Sequence, residues 1–245
     1  MAWRCPRLIA HRGGGTLAPE NTFAGLRMAA QHGYRGVEFD VMLSGDGTPI
    51  LFHDETLERT TGGAGRVAET SDAELARLDA GGWHGSHFAG EPIPAFADAA
   101  ELCLALGLWA NVEIKPSRGA DSETGRKAAA LAREVWAGAL LPPLLSSFSV
   151  GALEAAREAA PELPRGLLYG PVPANWRGEL KRLGCASLHC DAYRLGPALL
   201  AEAKAAGVPV VVYTVNDIVD AERLLRLGVA AVITDRIDII PPDLA

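Results

Sequence analysis

Along this 245-residue chain, short runs rich in apolar and β-branched residues alternate with longer Ala/Leu/Arg-rich runs, and that alternation limits the fold more than any other feature. Strands are predicted at 7–11, 36–43, 108–115, 144–148, 165–169, 185–190, 208–215 and 230–234, with a returning arm at 49–53 left over. Helical patterns fill the gaps at 22–31, 97–106, 123–137, 150–160, 176–183, 197–206 and 218–227. Gly33, Gly107, Gly184, Gly207 and Gly228 stand just ahead of a following strand, where a helix stops most easily on a residue that tolerates left-handed backbone. Eight strands alternating with helices fit a TIM (β/α)8 barrel, read as one domain over 1–245, better than an open doubly wound sheet with its glycine-rich nucleotide fingerprint. Gly13-Gly14-Gly15 can bring backbone close to a phosphate, but it lacks the G-K-[ST] ending of a P-loop, as does the stretch from Gly62 to Gly65.

The rhythm breaks once, over about 55–94, which reads as an insertion after the hairpin of the second strand. It carries Thr60-Thr61-Gly62-Gly63, a short helix opened by the capping box Ser71-x-x-Glu74, and the loop Gly81-Gly82-Trp83-His84-Gly85. His84 and His87 read as exposed polar groups more readily than as ligands, and the segment as a whole as a lid or substrate-shaping element.

With 49% apolar residues the chain can bury a sizeable core, and a net charge of −7 gives no basis for binding nucleic acid through its phosphates. Cys5, Cys103, Cys185 and Cys190 form no C-x-x-C pair and no zinc spacing, which points to reduced thiols in a cytoplasmic protein. A strand begins within a few residues of the N-terminus, no run is long enough to insert stably in a membrane, and a homodimer is left open.

The second predicted strand is unusual. In Val37-Glu38-Phe39-Asp40-Val41 the acids alternate with apolar residues, so one face is charged where a buried strand should be apolar. Ser44-Gly45-Asp46-Gly47 then turns the chain, and Pro49-Ile50-Leu51-Phe52 returns to bring His53 beside the acids, in a register that a bulge could shift by one residue. Asn111-Val112-Glu113-Ile114-Lys115 repeats the alternation, and the first strand ends in His11-Arg12-Gly13. Active sites of such barrels lie at the C-terminal ends of the strands, and these polar residues cluster there. Three carboxylates pointing into one mouth, Glu38, Asp40 and Glu113, need neutralising, and all-oxygen donors favour Mg²⁺ or Ca²⁺. A network in which Arg12 and Lys115 satisfy the acids without metal is the competing reading. Two histidines, two cations and a metal suit cleavage of an anionic phosphodiester, with His11 and His53 as acid and base and Arg12 and Lys115 on the non-bridging oxygens. His189, placed at the end of the sixth strand, is a candidate substrate contact or a supporting hydrogen-bonding group; Asn21 reads as helix N-cap or ligand.

The ordered segments His11-Arg12-Gly13, Pro19-Glu20-Asn21-Thr22, Glu38-x-Asp40, Asp46-Gly47, His53-Asp54 and Val112-Glu113-Ile114-Lys115 resemble the signature of glycerophosphodiester phosphodiesterases. The likeness continues through Leu57-x-Arg59-Thr60-Thr61, Leu78-Asp79-Ala80-Gly81, Ile93-Pro94, Ser147-Phe148, Thr214-Val215-Asn216 and Ile233-Thr234-Asp235-Arg236. Carried over, the resemblance implies a phosphodiesterase barrel with His11 and His53 as acid and base, Glu38, Asp40 and Glu113 as ligands of Mg²⁺ or Ca²⁺, and Arg12 and Lys115 holding phosphate. It implies small-molecule glycerophosphodiesters as substrates, opened through a cyclic phosphate to sn-glycerol 3-phosphate. This chain departs from the family in having Tyr213 where tryptophan usually precedes Thr-Val-Asn, and Ile237 where proline usually follows Thr-Asp-Arg. Tyr213 is thus the residue expected to alter how the glycerol or headgroup is held. A related barrel acting on intact phospholipid would want a hydrophobic surface or an export signal. A non-catalytic anion-binding barrel would have lost one of these histidines or acids, and none is missing.

Overall fold

A computed structural model describes residues 3–244. Eight parallel strands close into a barrel: β1 (Leu8–Ala10), β2 (Gly36–Leu43), β4 (Trp109–Ile114), β5 (Leu144–Ser147), β6 (Arg165–Tyr169), β7 (Ser187–Asp191), β8 (Val210–Tyr213) and β9 (Ala231–Thr234). Each pairs in parallel with its neighbours in chain order, and β1 closes the ring between β9 and β2. The ninth strand, β3 (Pro49–Leu51), runs antiparallel to the end of β2. Among the described residues seven α-helices alternate with the barrel strands, α1 (Phe23–Gln31), α3 (Phe96–Leu106), α4 (Asp121–Val135), α5 (Val150–Ala159), α6 (Trp176–Leu183), α7 (Pro197–Ala205) and α8 (Ile218–Arg226), and the four-residue α2 (Asp72–Leu75) lies apart from that alternation in the segment between β3 and α3. The fold is the TIM barrel that the alternation predicts, and Gly33, Gly107, Gly184, Gly207 and Gly228 all take positive φ where their helices end.

Alternation along each strand divides the molecule into two cores. One set of side chains, among them Leu8, Val37, Phe39, Val112, Leu167 and Val212, packs outward against the helices. The opposite set points into the barrel, and at its lower end Ile9, Trp109, Leu144, Val211, Ala231 and Ile233 form a separate apolar plug. Trp3 caps that plug edge-to-face on Trp109, and an apolar cavity of about 340 Å³ lined by Trp3, Leu144, Pro164 and Pro209 opens beneath it. That cavity offers no carboxylate or imidazole, so the chemistry lies at the other end.

The segment between β3 and α3 has a small core of its own, in which Leu57, Val67 and Leu75 pack on Met42, Ile50 and Phe52. The capping box that opens α2 forms as predicted, with Ser71 and Glu74 bonded reciprocally. No helix of the described residues is long and apolar enough to cross a membrane.

Candidate active site

The acids of the alternating strands converge. In the β2–β4 ladder Asp40 is the register partner of Glu113 and Glu38 that of Asn111, so the inward side chains of both strands stand side by side at the mouth. One carboxylate oxygen from each of Glu38, Asp40 and Glu113 lies within 4.8 Å of the other two. Glu38 and Asp40 are almost wholly buried. Burial, then repulsion by Asp40, pushes the Glu38 carboxyl up to about 7, and burial followed by Asp40 and Glu38 drives Glu113 well above the carboxylate range. The neighbouring cations relieve this only partly. Arg12 Nε is 3.6 Å from Asp40, and Lys115 Nζ is 3.8 Å from both Asp40 and Glu113, all longer than a hydrogen bond. Arg12 Nε is itself buried without a hydrogen-bond partner. Two buried carboxylates and a partly buried third, mutually repelling oxygen donors, fit a divalent cation.

The two histidines flank this trio, and each is held by its own carboxylate. His11 Nδ1 donates to Asp235 Oδ1 at 2.6 Å, leaving Nε2 facing Glu38 at 3.8 Å. His53 Nδ1 donates to Asp54 Oδ1 at 2.6 Å. Lys115 Nζ lies 2.8 Å from His53 Nε2, and since an ammonium only donates, Nε2 is the acceptor and the ring hydrogen sits on Nδ1. Their protonation is pushed in opposite directions. Burial opposes the charged form of His11, but the bond to Asp235 and the charges of Glu38 and Asp235 outweigh it and raise its pKa. For His53 burial prevails, helped by the positive charges of Arg12 and Lys115, and its pKa falls. One imidazole favours the acid form and the other the base form, the division that acid–base chemistry requires.

A family model of the glycerophosphoryl diester phosphodiesterases matches residues 11–239, the span that contains every one of these groups. The chain belongs to that family. It is therefore a phosphoric diester hydrolase. The glycerophosphodiester phosphodiesterase of Caldanaerobacter subterraneus subsp. tengcongensis is 36% identical over 93% of this chain and 93% of its own length. Among solved structures, an Oleispira antarctica phosphodiesterase in complex with the product sn-glycerol-3-phosphate is 40% identical, covering 98% of this chain and 95% of its own, with a TM-score of 0.92. The glycerophosphodiester phosphodiesterase of Agrobacterium tumefaciens is 27% identical with a TM-score of 0.79, covering 96% and 99% of the two chains.

Several expectations for this family site change in the structure. Asn21 is not the cap of α1; Thr22 is, accepting from Gly25 N at 3.1 Å. Asn21 turns inward with φ +57°, and its amide grips Asp40 twice, donating to Oδ2 at 2.9 Å and accepting from the backbone N at 3.1 Å. Arg12, at φ +49°, likewise holds a rarely populated backbone conformation and donates its N–H to Glu38 Oε2 at 3.0 Å. The glycine run beside it serves close packing: a Cβ on Gly15 would stand 2.1 Å from the Asp235 carbonyl oxygen. The returning arm is shorter than 49–53, and the register pairs Val41 with Leu51, so His53 lies beyond the ladder. His53 is held by Asp54 and Lys115 instead.

His189 does not reach the mouth. β7 continues to Asp191, which leaves His189 inside the barrel, fully buried and bonded to Ser187 Oγ at 2.9 Å. A Cβ on Gly166 would lie 2.5 Å from its Nε2, so the missing side chain there is what admits the ring, and burial pushes its pKa down to about 3. Tyr213 is at the rim, packing edge-to-face on the exposed Phe148 and donating its hydroxyl to Tyr169 O at 2.8 Å. Beside it a cleft of about 320 Å³ is lined by Glu113, Lys115, Pro116 and Phe148. In the inserted segment, His84 Nε2 bonds Thr16 O at 3.1 Å, whereas His87 is exposed and stacks on Phe88. Among the described residues neither joins a cluster that could hold a metal.

Sequence reasoning gave Asp54 and Asp235 no role of their own, although Asp54 stands next to His53 and Asp235 directly follows β9, the neighbour of the strand that ends before His11. Asn216 completes the second pair, donating to Asp235 Oδ2 at 2.9 Å and accepting from Asp235 N at 2.8 Å.

Proposed function

We propose that this chain hydrolyses glycerophosphodiesters such as glycerophosphocholine and glycerophosphoethanolamine to sn-glycerol 3-phosphate and the free alcohol. The observation that carries this reading is the arrangement at the mouth: three acids within 4.8 Å of one another, flanked by two histidines each fixed by its own carboxylate. The product bound in the Oleispira relative supports the choice of glycerol phosphate. Glu38, Asp40 and Glu113 would hold Mg²⁺ or Ca²⁺, which supplies Lewis-acid polarisation of the phosphoryl group and lowers the pKa of an attacking hydroxyl. His53, neutral, exchanges its Lys115 contact at Nε2 for the proton of the substrate glycerol's own hydroxyl as the new P–O bond closes a cyclic phosphate. His11, the imidazole that favours the charged form, gives a proton from Nε2 to the leaving alkoxide as the other P–O bond breaks, and water then opens the cyclic phosphate to sn-glycerol 3-phosphate with the two histidines in reversed roles. Arg12 and Lys115 balance charge on the non-bridging oxygens. Phe148 and Tyr213 line the rim where the glycerol or the headgroup would rest. All four cysteines are free thiols, the form that a reducing cytoplasm maintains.

The test incubates purified protein with glycerophosphocholine and glycerophosphoethanolamine, with Mg²⁺, with Ca²⁺ and with chelator, and couples release of sn-glycerol 3-phosphate to its dehydrogenase. Release that chelator abolishes and either ion restores is the expected result. No release under any metal condition would sink the reading.

A further inference from the structure

The segment after β3 sends one side chain back to the mouth. Arg59 donates to Glu20 from Nη1 to Oε2 and from Nη2 to Oε1, both at 2.7 Å. It also donates to Asp54, from Nε to Oδ2 at 2.5 Å and from Nη2 to Oδ1 at 3.0 Å. Each carboxylate accepts one more bond, and in each case from a residue at the reacting centre. Glu20 Oε1 takes Arg12 Nη1 at 2.7 Å, and Asp54 Oδ1 takes His53 Nδ1 at 2.6 Å. One planar guanidinium thus spans the carboxylates that hold the phosphate-facing arginine and the acid–base histidine.

We infer that Arg59 is a positioning residue that sets Arg12 and His53 together, through Glu20 and Asp54. The inference rests on the roles proposed above for Arg12 and His53. Its physical basis is competition. With both Glu20 oxygens engaged by Arg59, Glu20 holds Arg12 by a single Nη1 bond and leaves the other edge of that guanidinium for a phosphate oxygen. With both Asp54 oxygens engaged, Asp54 keeps the hydrogen of His53 on Nδ1, so that Nε2 presents its lone pair. An ammonium at this position would be a point donor and could not span both carboxylates. The loop that carries Arg59 has its own supports: Leu57 N donates to Gly65 O at 3.0 Å, Thr61 N donates to Leu57 O at 3.2 Å, and Leu57 is buried in the small core of the segment. These supports do not involve the guanidinium, so R59A is expected to keep the loop folded.

The experiment compares wild type, R59A, R59K, E20Q and D54N, each loaded with saturating cation, in steady-state release of sn-glycerol 3-phosphate, with a thermal melt for each. R59A is expected to lose about 10- to 100-fold in kcat/KM, in the range typical of groups that orient reacting residues, with KM raised and kcat lowered together. Guanidinium ion added to R59A is expected to restore turnover, and to do so better than the lysine of R59K. E20Q is expected to act mainly on KM, through Arg12, and D54N mainly on kcat, through His53. The inference is overturned if R59A keeps kcat/KM within about twofold of wild type, if a folded R59A loses activity that guanidinium does not restore, or if E20Q and D54N shift the same single parameter. Should R59A lack a cooperative melt, the E20Q and D54N pair decides the matter. Wild type that releases no product would instead defeat the proposed function, so the two failures are distinguishable.

Discussion

The floor and the mouth of this barrel are built from the same strands at the same alternating positions, yet they carry opposite chemistry. Trp109 is in the plug, and four residues along the same strand Glu113 is in the acid trio. Ile9 and Ile233 pack the floor, and two residues on from each His11 and Asp235 form a hydrogen-bonded pair. The lower layer gains stability from apolar burial. The upper layer loses it at the acid trio, because Glu38, Asp40 and Glu113 are crowded together while the nearest side-chain cations on Asp40 and Glu113 stand beyond hydrogen-bonding reach. Strand position thus separates the part that folds the barrel from the part that reacts, and changes at the two levels should fail in different ways.

The largest effect is expected at the mouth. His11→Ala and His53→Ala should each lower kcat by about 10²- to 10⁴-fold, the range for losing a general acid or base, while the thermal melt stays close to wild type. If either variant kept near-normal kcat, the acid–base assignment would be wrong. Trp109→Ala should show the reverse pattern. It removes the largest side chain of the plug, its contact with Trp3 and its bond to Pro142 O at 2.9 Å, and should cost about 3–5 kcal/mol of stability. Denaturant unfolding measures that loss, and turnover per folded molecule should hardly change. A Trp109 variant that stayed fully stable but lost turnover would break the division between floor and mouth.

The sequence carries the fold through two regularities, the strand–helix alternation and the glycines that stop helices, because both are local consequences of backbone geometry. It also carries the acid trio, since Glu38-x-Asp40 and Glu113-x-Lys115 violate the apolar expectation for barrel strands, and such violations mark sites. What it hides depends on small shifts along a strand or on contacts distant in the chain. His189 reads as a strand end because the sixth strand is placed at 185–190, and extension of β7 to Asp191 moves the residue inside. Asn21 and Thr22 are adjacent candidates for one cap, and only the fold shows that the second takes it and frees the first for Asp40. The Asp235–His11 pair joins residues 224 positions apart, and no local pattern announces it.

The comparison is tested most directly by thermal melts of the protein across pH, with chelator and with Mg²⁺ or Ca²⁺. Because folding raises the Glu38 carboxyl to about 7, the stability its bound proton contributes is fully present below the ordinary carboxylate pKa of about 4.3 and is lost as pH rises through about 7. Glu113 is shifted in the same direction. The account predicts that Tm of the chelated protein falls as pH rises through this window, that Mg²⁺ or Ca²⁺ restores it most strongly at the upper end, and that Glu38→Gln and Glu113→Gln flatten both responses. A Tm that neither falls with pH nor rises with either ion would contradict the claim that the mouth is a destabilising acid cluster built to hold a divalent cation.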